Sequence, residues 1–209
     1  MFKRILIIAG AFTLSACATV YTSEDFSTYQ AEHETVAILP YTVNITLKEL
    51  PEGMTEDDIN SMEIEESLSF QKVLYSQFLS RQAKGEYTVE FQDVDKTNTI
   101  LARNDINADG LMRYTKDEVA TLLGVDSVIS GTITRSKPMS TGGAIASTIF
   151  FGFGSTNQVH VNMTLHDGAT GDLLWSYDHE LAGGLGSSPE GVAKSLMKEI
   201  AKKFPYRRQ

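Results

Sequence analysis

The sequence predicts an α/β fold: a single domain in which helices pack on a mixed β-sheet, with a C-terminal β-hairpin followed by a closing helix. Three observations predict it. Short β-branched runs alternate with segments of helical period along the chain. Near the C-terminus two alternating runs flank the turn cluster Asp167-Gly168-Ala169-Thr170-Gly171. Ser188-Pro189-Glu190 then supplies an N-cap followed by proline at the first helical position.

The elements follow in order. Thr35-Val36-Ala37-Ile38-Leu39 is a buried first strand ended by Pro40. Leu47 to Asn60 is acidic, contains Pro51 and Gly53, and reads as a loop. A long helix is expected over about 61–84, with Ile64, Leu68, Val73, Leu74, Phe78 and Leu79 at helical spacing and Gly85 to stop it. Tyr87 to Phe91 alternates as a strand should, and 97–103 is a short helix. Thr115-Lys116-Asp117-Glu118 has the pattern of a capping box, so a helix runs from there to Leu123. Strands are expected over 126–135, 158–166 and 172–181, and the last helix over 189–204, ended by Pro205.

The chain's only cysteine, Cys17, marks the N-terminal boundary. Met1-Phe2-Lys3-Arg4 is basic, Ile5 to Phe12 is apolar, and Leu14-Ser15-Ala16-Cys17 closes the segment with small residues. That order defines a secretory signal peptide. Its ending resembles the lipobox of bacterial lipoproteins, which implies a Cys17 thioether to diacylglycerol and cleavage before it. Residues 1–16 are therefore expected to be a lipoprotein signal peptide, 17–34 a polar lipidated tether with Phe26 and Tyr29 docking on the domain, and 35–205 the domain itself. Ala18, rather than Asp, after the cysteine resembles the enterobacterial rule for export to the outer membrane. The expected location is the outer membrane, lipid-anchored and facing the periplasm.

The apolar run, eight residues from Ile5 to Phe12, is too short to span a bilayer, which takes ~20. The net charge is −9 overall and about −11 once Lys3 and Arg4 are removed with the signal peptide. An acidic surface argues against nucleic acid as a partner and against electrostatic docking on anionic headgroups. Attachment then rests on the acyl chains. With Cys17 acylated no thiol is left for a disulfide, so stability must come from the core.

Three stretches carry a further resemblance: Val36-Ala37-Ile38-Leu39-Pro40-Tyr41, TKDEVATLLGVDSVISGTIT over 115–134, and VNMTLHDGATGDLLWSYDHEL over 161–181. Together they resemble the CsgG-like and TolB-amino-terminal-like envelope lipoprotein domains, which include the curli secretion lipoprotein and lipoprotein activators of cell-wall synthases. The resemblance covers 36–204 and is strongest at Leu122-Leu123-Gly124-Val125-Asp126. It implies a periplasmic α/β module with a role in assembly, secretion or transport. It transfers no active site.

The residues themselves offer little chemistry. Asp105-Ile106-Asn107-Ala108-Asp109-Gly110 matches the first half of a calcium loop, but position 12 is Lys116 where a bidentate Glu is needed. His33, His160, His166 and His179 form no ligand pattern. His160 and His166 share a strand face some ~20 Å apart, with His179 able to approach either across the hairpin. No serine sits in a G-x-S-x-G elbow. The 183–188 glycine stretch lacks a P-loop lysine. No metal, cofactor or enzymatic activity is expected.

One segment stands out. Residues 141–155 carry no charge, and Ile145, Ile149, Phe150, Phe151 and Phe153 form a candidate interface flanked by glycines. The expected function is that of a non-enzymatic adaptor lipoprotein that touches another envelope protein or further copies of itself. The alternative is a subunit of an oligomeric secretion channel like the curli secretion lipoprotein.

Overall fold

The computed structural model describes residues 19–47, 50, 52–137, 158–182, 188–200 and 203–208. A seven-stranded mixed sheet organises them. Its strands are β1 (Thr19–Thr22), β2 (Thr35–Ile38), β3 (Thr42–Leu47), β4 (Glu90–Phe91), β5 (Ser127–Lys137), β6 (Gln158–Asp167) and β7 (Leu173–Ala182). The order across the sheet is β1-β7-β6-β5-β2-β4, and β3 also pairs with β5. Strands β5, β6, β7 and β1 run antiparallel to one another in turn, while β2 and β3 run parallel to β5. The mixed sheet and the hairpin followed by a helix are as the alternation predicts.

The helices are α1 (Phe26–Glu32), α2 (Glu56–Gln82), α3 (Val94–Arg103), α4 (Lys116–Leu123) and α5 (Pro189–Ile200). One face of the sheet carries α2 and α5. There Val36, Ile38, Ile129, Ile133, Val161, Met163, Trp175 and Tyr177 pack on Phe70, Leu74, Phe78, Val192 and Leu196. On the other face α3 and α4 bury a smaller cluster against Ala37, Leu39 and Val128. The rest of that face is polar: Thr134 and His160 are accessible, Ser130 bonds Thr164, and Asn162 donates to Asp178 at 3.1 Å.

Two helix ends follow directly from their residues. Thr115 and Glu118 form the expected capping box at the start of α4, and Gly124, at φ +66°, ends it in a left-handed turn that a side chain would strain. For α2 the box is Thr55 with Asp58, so the helix begins well before residue 61. The acidic stretch that reads as a loop therefore holds its first turn, where Glu56, Asp57 and Asp58 suit the positive end of the helix dipole.

The strand expected to stop at Pro40 resumes two residues later as β3. Ile38 lies beside Ile129 and Thr42 beside Thr132, so β2–β3 spends one residue more than β5 over this stretch. The extra length bulges at Leu39-Pro40-Tyr41. Tyr41 turns into the core, and its ring passes over Gly131. A Cβ on Gly131 would lie 2.4 Å from that ring and 2.1 Å from the Asn162 carbonyl. The bulge leaves carbonyls off the ladder, and α2 supplies their donors. Ser67 Oγ donates to the Tyr41 carbonyl at 2.6 Å, and Gln71 Nε2 to the Ile38 carbonyl at 2.7 Å. Both side chains are buried.

The stretch 17–34, expected as a tether, is built into the domain as far as Thr19. Strand β1 pairs with β7 from Thr19↔Asp178 to Thr22↔Trp175. Phe26 is buried against Tyr206, and Tyr29 packs on the core, both as expected. Main-chain pairing and the buried rings of Phe26 and His33 hold this polar segment, which its composition does not announce. Among the described residues no helix is long and apolar enough to cross a membrane.

Candidate functional site

The bulge decides which side of α2 faces the core. Because Ser67 and Gln71 must reach backbone carbonyls, the inward face carries Met62, Ser67, Phe70, Gln71, Leu74 and Phe78. The expected apolar stripe is thereby split. Leu74 and Phe78 are buried, but Ile64 stays 41% exposed, Leu68 39% and Leu79 37%. Ile64 and Leu68 open onto a groove of about 450 Å³ between α2, the end of α3 and the Asp105–Asp109 loop. Leu101, Ile106 and Pro40 complete its apolar floor, and Asn98, Asp105, Asn107 and Asp109 supply its polar rim.

Local chemistry fixes each wall. Asn98 and Gln71 exchange two hydrogen bonds, at 2.9 and 3.1 Å, which lock α3 to α2. Asp105 takes a positive φ of 57°, which turns the chain sharply after α3 and drops Ile106 into the core. Asn107 Oδ1 accepts the Gly110 N–H at 2.7 Å and closes the turn. The half calcium motif is thus a turn whose middle ligand is already bonded to the backbone. Among the described residues no three His, Cys, Asp or Glu side chains gather as a metal ion would need. The groove can accept apolar side chains, and its two carboxylates, with no cation among the lining residues, favour a neighbouring Lys or Arg.

A second, polar cleft of about 160 Å³ lies where α4 meets the open sheet face. Met112, Lys116, Thr132, Asn162 and His166 line it. Burial lowers the pKa of Lys116. Burial also lowers that of His166, against the opposing hydrogen bond of its Nδ1 to the Gly171 carbonyl. His160, on the same face, lies 3.4 Å from Asp178. His179 does not approach either of them. It pairs with Val161, so its ring points to the α5 side beside Tyr177, where burial lowers its pKa.

The fourth histidine is buried, and nothing in its sequence neighbourhood marks it so. His33 Nε2 contacts Asp167 Oδ1 at 2.9 Å, and its Nδ1 meets the Tyr206 hydroxyl. That hydroxyl bonds Ser127 Oγ at 3.0 Å. Burial alone would raise the Asp167 pKa. The Thr170 N–H, the Thr170 hydroxyl and His33 outweigh it and hold the carboxyl below its usual range. Asp, His, Tyr and Ser here form a hydrogen-bonded chain closed off from solvent. It clamps the end of α1, the hairpin turn and the C-terminal tail onto the start of β5. No local spacing of residues encodes it, since the His33 contacts span 134 and 173 positions.

Cys17, Ile145, Ile149, Phe150, Phe151 and Phe153 lie outside the described residues. Helical spacing assigns Ile64 and Leu68 to the core, and the structure places them at the groove instead. The one signal for this in the sequence is the polar pair Ser67 and Gln71, which interrupts the apolar stripe.

A single α/β domain with one helical pair on each face of a mixed sheet is the class these features define. No protein-family model and no curated protein matches the sequence. Among solved structures the chain is similar to the PelC dodecamer from Paraburkholderia phytofirmans, at 16% identity and a TM-score of 0.46, over 93% of this chain and 99% of that one. It is similar to the lipoprotein GNA1162 from Neisseria meningitidis at 14% identity and a TM-score of 0.40, over 81% and 94%. The LpoB C-terminal domain from Escherichia coli follows at 9% identity and 0.33, over 72% and 83%. Likenesses of this size say nothing of what the chain does.

Proposed function

We propose that the chain is a lipid-anchored adaptor of the bacterial cell envelope, attached through Cys17 and acting by protein–protein contact rather than catalysis. The observation that carries the reading is the apolar groove lined by Ile64, Leu68, Leu101 and Ile106. Its occupant is a segment of another envelope protein that presents two or three apolar side chains next to a Lys or Arg. Covering Ile64 and Leu68 would contribute on the order of 1 kcal/mol each, since both are already partly buried. The carboxylates of Asp105 and Asp109 then select the partner by charge. The lipobox supports envelope attachment, and the acidic domain supports a protein rather than a nucleic acid as partner.

The test is crosslinking in intact envelopes with a photoreactive side chain at Leu68, alongside one at Met112, which is 78% exposed and lines the second cleft rather than the groove. The expected result is a discrete adduct from position 68 only, mapping to an apolar segment with an adjacent basic residue. The adduct should disappear when Ile64→Lys places a cation at the groove. Equal adducts from both positions, or an adduct that survives Ile64→Lys, would sink the reading.

A further inference from the structure

The polar cleft beside α4 is opposite in chemistry to the α2–α3 groove. Its lining includes Lys116 and no carboxylate, whereas the groove lining includes carboxylates and no cation. Strands β3, β5 and β6 supply its floor. Thr132 lies between Thr42 and Asn162, and all three project to the sheet face that α2 and α5 leave uncovered. Each polar group there has a defined capacity left over. Asn162 spends its Nδ2 on Asp178, at 3.1 Å, and on Ser176, at 3.4 Å, so its Oδ1 remains as an acceptor. His166 Nδ1 bonds the Gly171 carbonyl at 3.1 Å. A carbonyl only accepts, so that nitrogen carries the proton, and Nε2 of the neutral ring is a second acceptor. The hydroxyls of Thr42 and Thr132 can donate or accept, and neither has a hydrogen bond among the described residues. Lys116 is partly buried, yet it has no hydrogen bond or ion pair among the described residues. Asp178, on the same face, is engaged by Asn162 and His160.

We infer that this cleft binds a single acidic sugar residue, a hexuronate, with its carboxylate on Lys116 and its hydroxyls on Thr132, Asn162 and His166. The capacities left over select this class. A carboxylate alone satisfies Lys116 but presents only acceptors to Asn162 Oδ1 and His166 Nε2. A neutral polyol satisfies those two and leaves a partly desolvated ammonium without a counter-charge. A sugar ring that bears a carboxylate does both. Its hydroxyls donate to Oδ1 and Nε2 and exchange bonds with Thr42 and Thr132, while its carboxylate takes a charge-assisted bond from Lys116. Size sets the limit. At about 160 Å³ the cleft is small beside the roughly 300–1,000 Å³ of pockets that take drug-sized ligands, so it admits one ring. Met112, exposed at the rim, offers an apolar contact for the ring's C–H face. The site does not depend on what occupies the groove.

The test is titration calorimetry of the full chain in mild detergent with three probes: glucuronate, glucose and acetate. Glucuronate should bind at least about tenfold more tightly than either of the others, because only it uses both halves of the site. Lys116→Gln keeps a long polar side chain without the charge and should bring glucuronate down to the level of glucose. Thr132→Val keeps the shape on an open sheet face and should weaken both sugars about threefold or more. Both variants should melt as the wild type does, which separates a lost site from a lost fold. Acetate binding as tightly as glucuronate would reduce the cleft to an anion site and overturn the inference. Equal binding of glucose and glucuronate, no binding of glucuronate, or wild-type affinity in Lys116→Gln overturns it too. If Lys116→Gln unfolds the chain, Thr132→Val decides alone, and undiminished glucuronate affinity in that variant defeats the assignment.

Discussion

Strands β5, β6 and β7 pair through the main chain with a single register shift, between Leu165 and His166, whereas the β2–β3 edge closes only because α2 lends it two side chains. In the three-strand meander the inward residues are apolar and the opposite face is largely polar, so the registers support one another. At the edge, the bulge over Leu39-Pro40-Tyr41 breaks that alternation, and Ser67 and Gln71 replace apolar residues on the core side of α2. The helix then has more large apolar side chains than inward positions. Ile64 and Leu68 are the surplus, and they line the groove. The difference teaches that the irregular half of the sheet creates the groove, and the regular half only supports it.

The largest effect should come from closing the space the bulge uses. Gly131→Val would place a branched Cβ within 2.1 Å of the Asn162 carbonyl and 2.4 Å of the Tyr41 ring. Neither backbone nor a fully buried ring can yield, so a loss of about 3 kcal/mol or more is expected. Thermal melting of the purified domain checks it. A variant that melts as the wild type does would show that the edge is loose and the contrast between the two halves false.

Gln71→Leu is the next test. It keeps the size of the side chain but strips a donor from the Ile38 carbonyl and both bonds from Asn98. Leaving a buried carbonyl unpaired costs about 1–3 kcal/mol. Denaturant unfolding should show a loss in that range, and Asn98→Ala added to Gln71→Leu should cost little more, because the pair shares one network. Full additivity would mean that Asn98 and Gln71 act separately.

The meander and its closing helix are legible in the sequence because each element repeats a strong period and ends on a turn or cap: Asp167 to Gly171, Gly124, Ser188-Pro189. The capping box at Thr115 places α4 to the residue. What stays hidden depends on contacts distant in sequence. Strand β3 alternates Val43, Ile45 and Leu47, yet Pro40 before it reads as a stop. Strand β1 has only a four-residue edge pairing to define it. His33 is buried solely because Tyr206 and Asp167 arrive from the far end of the chain. The groove is hidden for the same reason: periodicity counts Ile64 and Leu68 with the core, and only the carbonyls of Ile38 and Tyr41 tell α2 which way to turn.

The buried chain around His33 allows the regular half to be probed by pH. Asp167 has a folded pKa below its unfolded value, so its stabilisation is present above the unfolded pKa, near ~4, and is lost as pH falls through the folded one. Asp167→Asn removes that titration while keeping the shape. Wild type should exceed the variant in stability to urea at pH 7, by about 1–2 kcal/mol for charge-assisted bonds, and the gap should narrow as pH drops below ~4. A gap that is constant from pH 7 to pH 3 would mean that Asp167 contributes through packing alone.

The smallest effect on stability should accompany the largest effect on association. Ile64→Lys and Leu68→Lys replace side chains that water already reaches, on a helix where lysine is a good helix former. The lysine stem can still lie along the apolar wall with its ammonium toward Asp105 and Asp109. Each change is expected to shift folding stability by less than about 1 kcal/mol. The groove, however, would present a cation where the proposed partner's basic residue would sit, and like charges at a contact both weaken it and slow its formation. Crosslinking at Leu68 should then fail in Ile64→Lys at unchanged melting temperature. If Ile64→Lys instead unfolds the domain, the side chain belongs to the core after all, and the irregular edge would be a packing device with no surface function.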